Sequence, residues 1–248
     1  MKRDSIWPPT SLMFFVLMSC FILFSSYDGK FEMEKYHCEQ KLIPNSPVDS
    51  IQIIEKPIKY SAERIRLSLD YLKIRHGITQ TKPTIKPQII VLHYTSGGTM
   101  KSNYDYFNNI YIEKGRVFNK KQSSLNVSAH YLVDRDGKIY HLIQDTLFAR
   151  HIIGLNYCSI GIENIGGKNA PLTEEQVSAN SGLIRFFCKR YSIKYLIGHS
   201  EYFKFRESRL WKETNPKYFA QKDDPGDEFL KKIRRRISDL KLKESPEK

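Results

Sequence analysis

The feature that most restricts the fold is Ile89–Leu92, four consecutive apolar residues that run into His93 and then Tyr-Thr-Ser-Gly-Gly. So short a β-branched run reads as a strand buried on both faces at the centre of a sheet, not as a helix. In an open α/β sheet, ligands and metals collect beyond the carboxyl ends of such strands, and His93 stands at one. Taken alone, His93 is better explained as a strand-end imidazole bonded to a loop carbonyl. The rest of the chain has to supply its partners.

A chain of 248 residues has room for one full domain with extensions, or for two small ones. Its 40% apolar and 27% charged residues fit an ordinary globular protein and exclude a disordered chain. The net charge of +13 points to an anionic partner: cell-wall polymer, lipid headgroups or nucleic acid. Cys20, Cys38, Cys158 and Cys188 show no CxxC spacing, which argues against a cysteine-built zinc knuckle.

Lys2 and Arg3 precede the almost wholly apolar Leu12–Phe24, the layout of a signal peptide or membrane anchor over residues 1–26. The apolar run is shorter than the ~20 residues of a comfortable span. Leu17-Met18-Ser19-Cys20 resembles a bacterial lipobox, with Cys20 as the lipid site, although Phe21–Phe24 is apolar where a mature lipoprotein turns polar. The expectation is an exported protein of the cell envelope, periplasmic or membrane-anchored. Residues 27–80 read as a tether, with a strand around Ile51–Ile54, and an accessory helix over Ser61–Arg75. Ser61 can cap that helix, Ile65, Leu69 and Leu72 share a face, and Gly77 stops it. His37 and His76 carry no signal.

Beyond Thr81–Pro87, a proline-containing linker, strands alternate with helices. A helix is expected over Ser102–Glu113. Strands Ser128–Asp134 and Lys138–Ile143 form a hairpin about Asp136-Gly137, read as a two-residue turn that sets Leu132 opposite His141. Tyr157–Asn164 is a further strand. Thr173 and Gln176 make a capping box for a helix to about Tyr191. Lys194–Gly198 is the last strand and delivers His199, and Asp224-Pro225 opens a final helix to about Leu242. The fold class is therefore α/β: a mixed central β-sheet with helices on both faces, one catalytic domain plus an N-terminal extension.

His93 and His199 each end an apolar strand, and Asp224 sits at a helix start. Two imidazoles and one carboxylate suit Zn²⁺ with a fourth position left for water. Asp-Pro is equally an ordinary N-cap and first helical residue. A rival site is His130 with His141, diagonal neighbours on one face of the hairpin in that register, but it has no carboxylate to join them.

Val-Leu-His-Tyr-Thr (91–95), Val-Ser-Ala-His-Tyr (127–131), Ser-Ile-Gly-Ile-Glu (159–163), Ile-Gly-His-Ser (197–200) and Lys-Asp-Asp-Pro-Gly (222–226) together resemble type 2 N-acetylmuramoyl-L-alanine amidases, whose fold peptidoglycan-recognition proteins share. The resemblance covers roughly Ile89 to Leu240 and makes residues 81–245 a zinc amidase domain. It implies His93, His199 and Asp224 as zinc ligands, Glu163 as the catalytic carboxylate and Lys222 as the basic residue beside the metal. It also implies a substrate-lining role for His151, which with Arg150 takes the place of an aromatic-His pair, and for Tyr94. His130 becomes structural. Two departures stand out. The His199-to-Asp224 connection is long, with an aromatic and basic insertion at Glu201–Gln221 that could reshape or lid the groove, and Asp223 is the fallback ligand. Phage-type relatives carry a tyrosine where Ala129 stands, so no mechanism can use it. The implied activity is zinc-dependent cleavage between N-acetylmuramic acid and L-alanine of peptidoglycan or muropeptides. The alternatives are a non-catalytic peptidoglycan-binding protein and, last, nucleic-acid binding through the basic C-terminal helix, for which no reading motif exists.

Overall fold

The computed structural model describes residues 51–246. The signal or anchor segment over residues 1–26, with Cys20, and the part of the tether holding His37 and Cys38 lie outside the described residues. No helix among the described residues is long and apolar enough to cross a membrane.

Six strands make one mixed sheet: β1 (Ile53–Glu55), β2 (Ile89–Tyr94), β3 (Tyr131–Val133), β4 (Ile139–His141), β5 (Ser159–Asn164) and β6 (Tyr195–Gly198), in spatial order β1-β4-β3-β5-β2-β6. Only the β3–β4 hairpin is antiparallel. The run that opened the sequence argument is β2, next to the edge strand β6 and parallel to both its neighbours, with Ile89 to Leu92 fully buried. The mixed α/β architecture is the expected one.

The two faces of β2 and β5 follow from their period of two. Ile90 and Leu92, with Ile160 and Ile162, pack under α4 (Glu174–Arg190) and α5 (Asp227–Arg236). Ile89 and Val91 face the other way, onto Ile152, Leu155, Tyr202 and Phe205. On that second side Phe107 of α2 (Met100–Asn108) packs on Leu132, and Tyr71 and Leu72 of α1 (Ala62–His76) pack on Leu125 and Phe148. A short α3 (Val117–Lys120) lies between α2 and the hairpin.

The capping signals place α1 and α4 closely: Ser61 accepts from Arg64 N, Gly77 closes α1 in the left-handed region, and Thr173 and Gln176 form both halves of a capping box. Three other elements differ from expectation. The helix expected over Ser102–Glu113 is Met100–Asn108, because Thr99 supplies an earlier cap and Asn109 is already extended. The hairpin pairs Tyr131, not Leu132, with His141. Its loop has three residues: Asp134 N bonds Lys138 O, and Gly137 takes a left-handed φ of 83°, the geometry of a turn followed by a bulge glycine. One residue of register reverses the face of every side chain. His141 therefore lies on the face of Tyr131, away from His130, and the rival hairpin metal site is excluded. The last helix begins at Asp227 behind Gly226, three residues after Asp224, and gives way at Ile237 to a 3-10 turn. Asp224 is not its cap, which leaves the carboxylate free for other partners.

Candidate metal centre and groove

Parallel pairing puts His93 at the end of β2 directly beside Glu163 of β5, with Val91 beside Gly161 and Ile89 beside Ser159 one and two steps below. His93 and Glu163 thus share the face that opens into a cavity of about 440 Å³ at the carboxyl ends of the strands. His199 follows β6, in register with β2 up to Leu92–Gly198, and starts a 3-10 turn over His199–Phe205. The chain then leaves and returns 25 positions after His199, at Asp224. What brings it back is a close approach at Gly198: a Cβ there would lie 2.7 Å from Leu230 Cδ1 and 2.8 Å from Pro225 Cδ. Ser200 N bonds Asp224 O at 2.9 Å. The bare glycine lets the Asp224-Pro225 turn pack against the strand end and sets Asp224 beside His199.

The result is a triangle. His93 Nδ1 and His199 Nδ1 are 3.0 Å apart, and each is 3.2 Å from Asp224 Oδ2. All three residues are buried, and they are the one such group of His, Cys and acidic residues among those described. Burial pushes His199 down to about 4, against the pull of Asp224. Burial raises the Asp224 carboxyl, but His199 and His93 outweigh it and hold the group well below the usual carboxylate range. Neutral imidazole and ionised carboxylate are the forms a metal requires. Tetrahedral Zn²⁺ with ligand bonds of about 2.0–2.1 Å keeps its ligand atoms roughly 3.3 Å apart, so the triangle fits the ion. Two ring nitrogens at 3.0 Å can share only one proton, whereas a cation between them answers both lone pairs.

His151 stands behind His93. Its Nδ1 is 3.1 Å from His93 Nε2, and its Nε2 is 3.2 Å from Ser159 Oγ, which in turn donates to Leu155 O at 2.8 Å. With His93 protonated on Nε2, that hydrogen points at His151 and the His93 Nδ1 lone pair points into the triangle. Burial first, then the neighbouring His93 and His130, hold His151 well below the ordinary histidine range, so it is a neutral acceptor. Gly161 makes room for the ring: a Cβ there would lie 2.6 Å from His151 Cγ. His151 borders the cavity, and its ring nitrogens are committed to His93 and Ser159. This link escaped sequence reasoning, which had no local signal for a contact between residues 58 apart.

Glu163 has one carboxylate oxygen shut off from solvent and without a hydrogen-bond partner among the described residues, and burial pushes the group up to about 7. Lys222 borders the same cavity and acts electrostatically on Glu163 and His199. Tyr94 also lines it, its hydroxyl donating to Asp223 at 2.8 Å. Asp223, the fallback ligand, is exposed, paired with Lys168 and bonded by Tyr94, and is not among the three residues of the triangle. His130 is fully buried and satisfied by its own backbone: Nδ1 accepts from Gly161 N at 3.0 Å and Nε2 donates to Leu147 O at 2.9 Å. Ala129 is fully buried.

Arg150 is a buried cation with no carboxylate partner in hydrogen-bond reach among the described residues. It donates to Ser123 O, Leu125 O and Asn119 O and lies 5.1 Å over the Tyr71 ring. It thereby ties the loop after α3 to the cavity floor.

Residues 83–227 match the family described as N-acetylmuramoyl-L-alanine amidase. Among solved structures, the chain is similar to the N-acetylmuramoyl-L-alanine amidase LysC from Clostridium intestinale (19% identity, 78% of this chain and 100% of that one, TM-score 0.47). It is also similar to AmpD (18%, 78% and 99%, TM-score 0.48) and to drosophila peptidoglycan recognition protein SD (18%, 65% and 97%, TM-score 0.40). No curated protein matches the sequence.

Proposed function

The chain belongs to the N-acetylmuramoyl-L-alanine amidase family, and from that premise we propose that it is a zinc-dependent hydrolase cutting the amide bond between N-acetylmuramic acid and L-alanine in peptidoglycan or muropeptides. The observation that carries the reading is the buried triangle of His93, His199 and Asp224 with Glu163 beside it in register. These three side chains would hold Zn²⁺, which when bound supplies Lewis acidity toward the amide carbonyl and acidifies water.

The chain's own residues do the rest. Glu163, held at the end of β5, takes a proton from the attacking water and passes it to the leaving L-alanine amine; a base with a pKa near 7 can do both at neutral pH. Lys222, which borders the cavity, stabilises the charge that develops on the amide oxygen. His151 and Ser159 orient His93 from behind, the kind of support that keeps a ligating imidazole in one tautomer. Tyr94 and the wall around it border the space for the sugar or stem peptide. We place the protein in the cell envelope, exported through residues 1–26, where the wall polymer is.

The experiment is hydrolysis of a purified muropeptide by the full chain, before and after chelation and again with added Zn²⁺. Loss on chelation and recovery with Zn²⁺ are expected. Cleavage that survives metal removal would end the zinc assignment, and binding without cleavage would make the chain a peptidoglycan-binding protein.

A further inference from the structure

Helix α1 precedes the stretch that matches the family, and the 201–221 insertion lies within it, yet the two are interlocked. Arg75, in the last turn of α1, pairs with Glu213, and their side chains are only 8% and 1% exposed. Thr214 N donates to Arg75 O at 3.0 Å and Thr214 Oγ1 to Ile74 O at 2.7 Å, so the insertion satisfies carbonyls that a helix end leaves open. His76 Nδ1 bonds Lys212 O at 2.9 Å. These contacts anchor residues 212–214 of the insertion to the end of α1.

The contacts continue across the cavity. The Arg75 guanidinium lies 5.0 Å over the Tyr218 ring. The Tyr218 hydroxyl donates to Asn119 Oδ1 at 3.1 Å on α3, and Arg150 donates to that hydroxyl at 3.3 Å. Phe118 of α3 packs on the same ring at 5.3 Å. Tyr71, Asn119, Arg150 and Tyr218 all line the cavity that holds the metal triangle. One path from α1 to the far wall therefore runs through this ring, which a buried ion pair seats, beside a second that runs from Tyr71 through Arg150. Such a pair adds little net stability, but removing one partner strands the other charge out of water. Its value here is geometric.

We propose that Arg75 and Glu213 are positioning residues: they seat Tyr218 so that it bridges to α3 and sets the width of the groove, so occupancy of the groove depends on them and metal binding does not. The nature of the occupant, a muropeptide, rests on the amidase reading; the bridge itself does not.

Two full-chain variants test this. Glu213→Gln removes the charge while keeping the shape, and Arg75→Lys keeps the charge but loses the flat guanidinium that covers the ring; the second decides the matter if the first does not fold. Amide hydrogen exchange over residues 117–125, which neither side chain touches, should become faster in both. KM for a muropeptide should rise about ten- to a hundredfold with kcat and Zn²⁺ affinity unchanged, the pattern of lost uniform binding. Native exchange at 117–125 in folded variants overturns the proposal, as does a parallel loss of Zn²⁺ affinity, which would mark general unfolding. If the native chain cleaves no muropeptide, the amidase reading falls, while the exchange result still decides the bridge.

Discussion

Gly161→Ala tests how far the metal centre depends on the imidazole behind it. The new Cβ would stand 2.6, 2.7 and 2.9 Å from Cγ, Nδ1 and Cδ2 of His151, where carbon atoms rest comfortably at about 3.5–4.0 Å. The ring must retreat by roughly 1 Å to restore that spacing. His130 is a close neighbour that cannot turn aside, its ring centroid 5.8 Å from that of His151 and its two nitrogens pinned by backbone. The movement stretches the 3.1 Å contact between His151 and His93 Nε2 beyond hydrogen-bond range. Overpacking alone should cost about 1–3 kcal/mol of stability. Losing the partner of a ligating histidine should weaken metal affinity by about 10–100-fold, or roughly 1.4–2.7 kcal/mol. Both are measurable on the same sample, by urea unfolding of the metal-free chain and by competition for Zn²⁺ with a chromophoric chelator. His151→Ala, which removes the partner without crowding, should lose similar affinity at less cost in packing. Native Zn²⁺ affinity in both folded variants would refute the reasoning, because His93 would then be oriented without His151.

Glu163→Gln should keep Zn²⁺ and lose turnover by about 10²–10⁴-fold, read as the cleavage rate of a muropeptide; a variant that turns over normally reassigns the base. Asp224→Asn should abolish tight Zn²⁺ binding, whereas Asp223→Asn should leave it intact and cost at most about 1 kcal/mol, since Asp223 only pairs with Lys168 and Tyr94 at the surface; calorimetry with Zn²⁺ separates the two, and equal losses would mean that the ligands are misidentified. Burial holds His130 at about 4 in the folded chain, against about 6.5 unfolded. The unfolded chain therefore binds the extra proton, so stability is present above about pH 6.5 and drains away as pH falls toward 4, by roughly 3 kcal/mol for this one residue. A urea midpoint that stays flat over that interval would contradict the hydrogen-bond assignment of His130.

How much of this could be read from the chain depends on the range of the interaction concerned. Strand β2 was legible because a burial pattern is written in consecutive residues, and its period put His93 and Glu163 on one face as soon as β2 and β5 paired. The cap of α4 was legible because Thr173 and Gln176 bond within one turn. The hairpin register was misread by one residue: Asp136-Gly137 suits a two-residue turn, but Gly137 serves as the bulge position of a longer one. The convergence of His93, His199 and Asp224 had sequence signals for each member and none for the long return from 199 to 224, which rests on the bare Cα of Gly198. The support of His93 by His151, and the pairing of Arg75 with a residue 138 positions away, had no local signature at all. Tertiary packing alone creates them.

The account turns on one ion held by two imidazoles and one carboxylate. X-ray absorption at the zinc edge of the loaded full chain reads that shell directly. It should show a single low-coordinate site with two histidine nitrogens and light oxygen ligands, and the histidine signal should halve in His199→Ala. A shell of oxygens only, or a spectrum unmoved by that substitution, would place the metal elsewhere and remove the basis for the amidase mechanism.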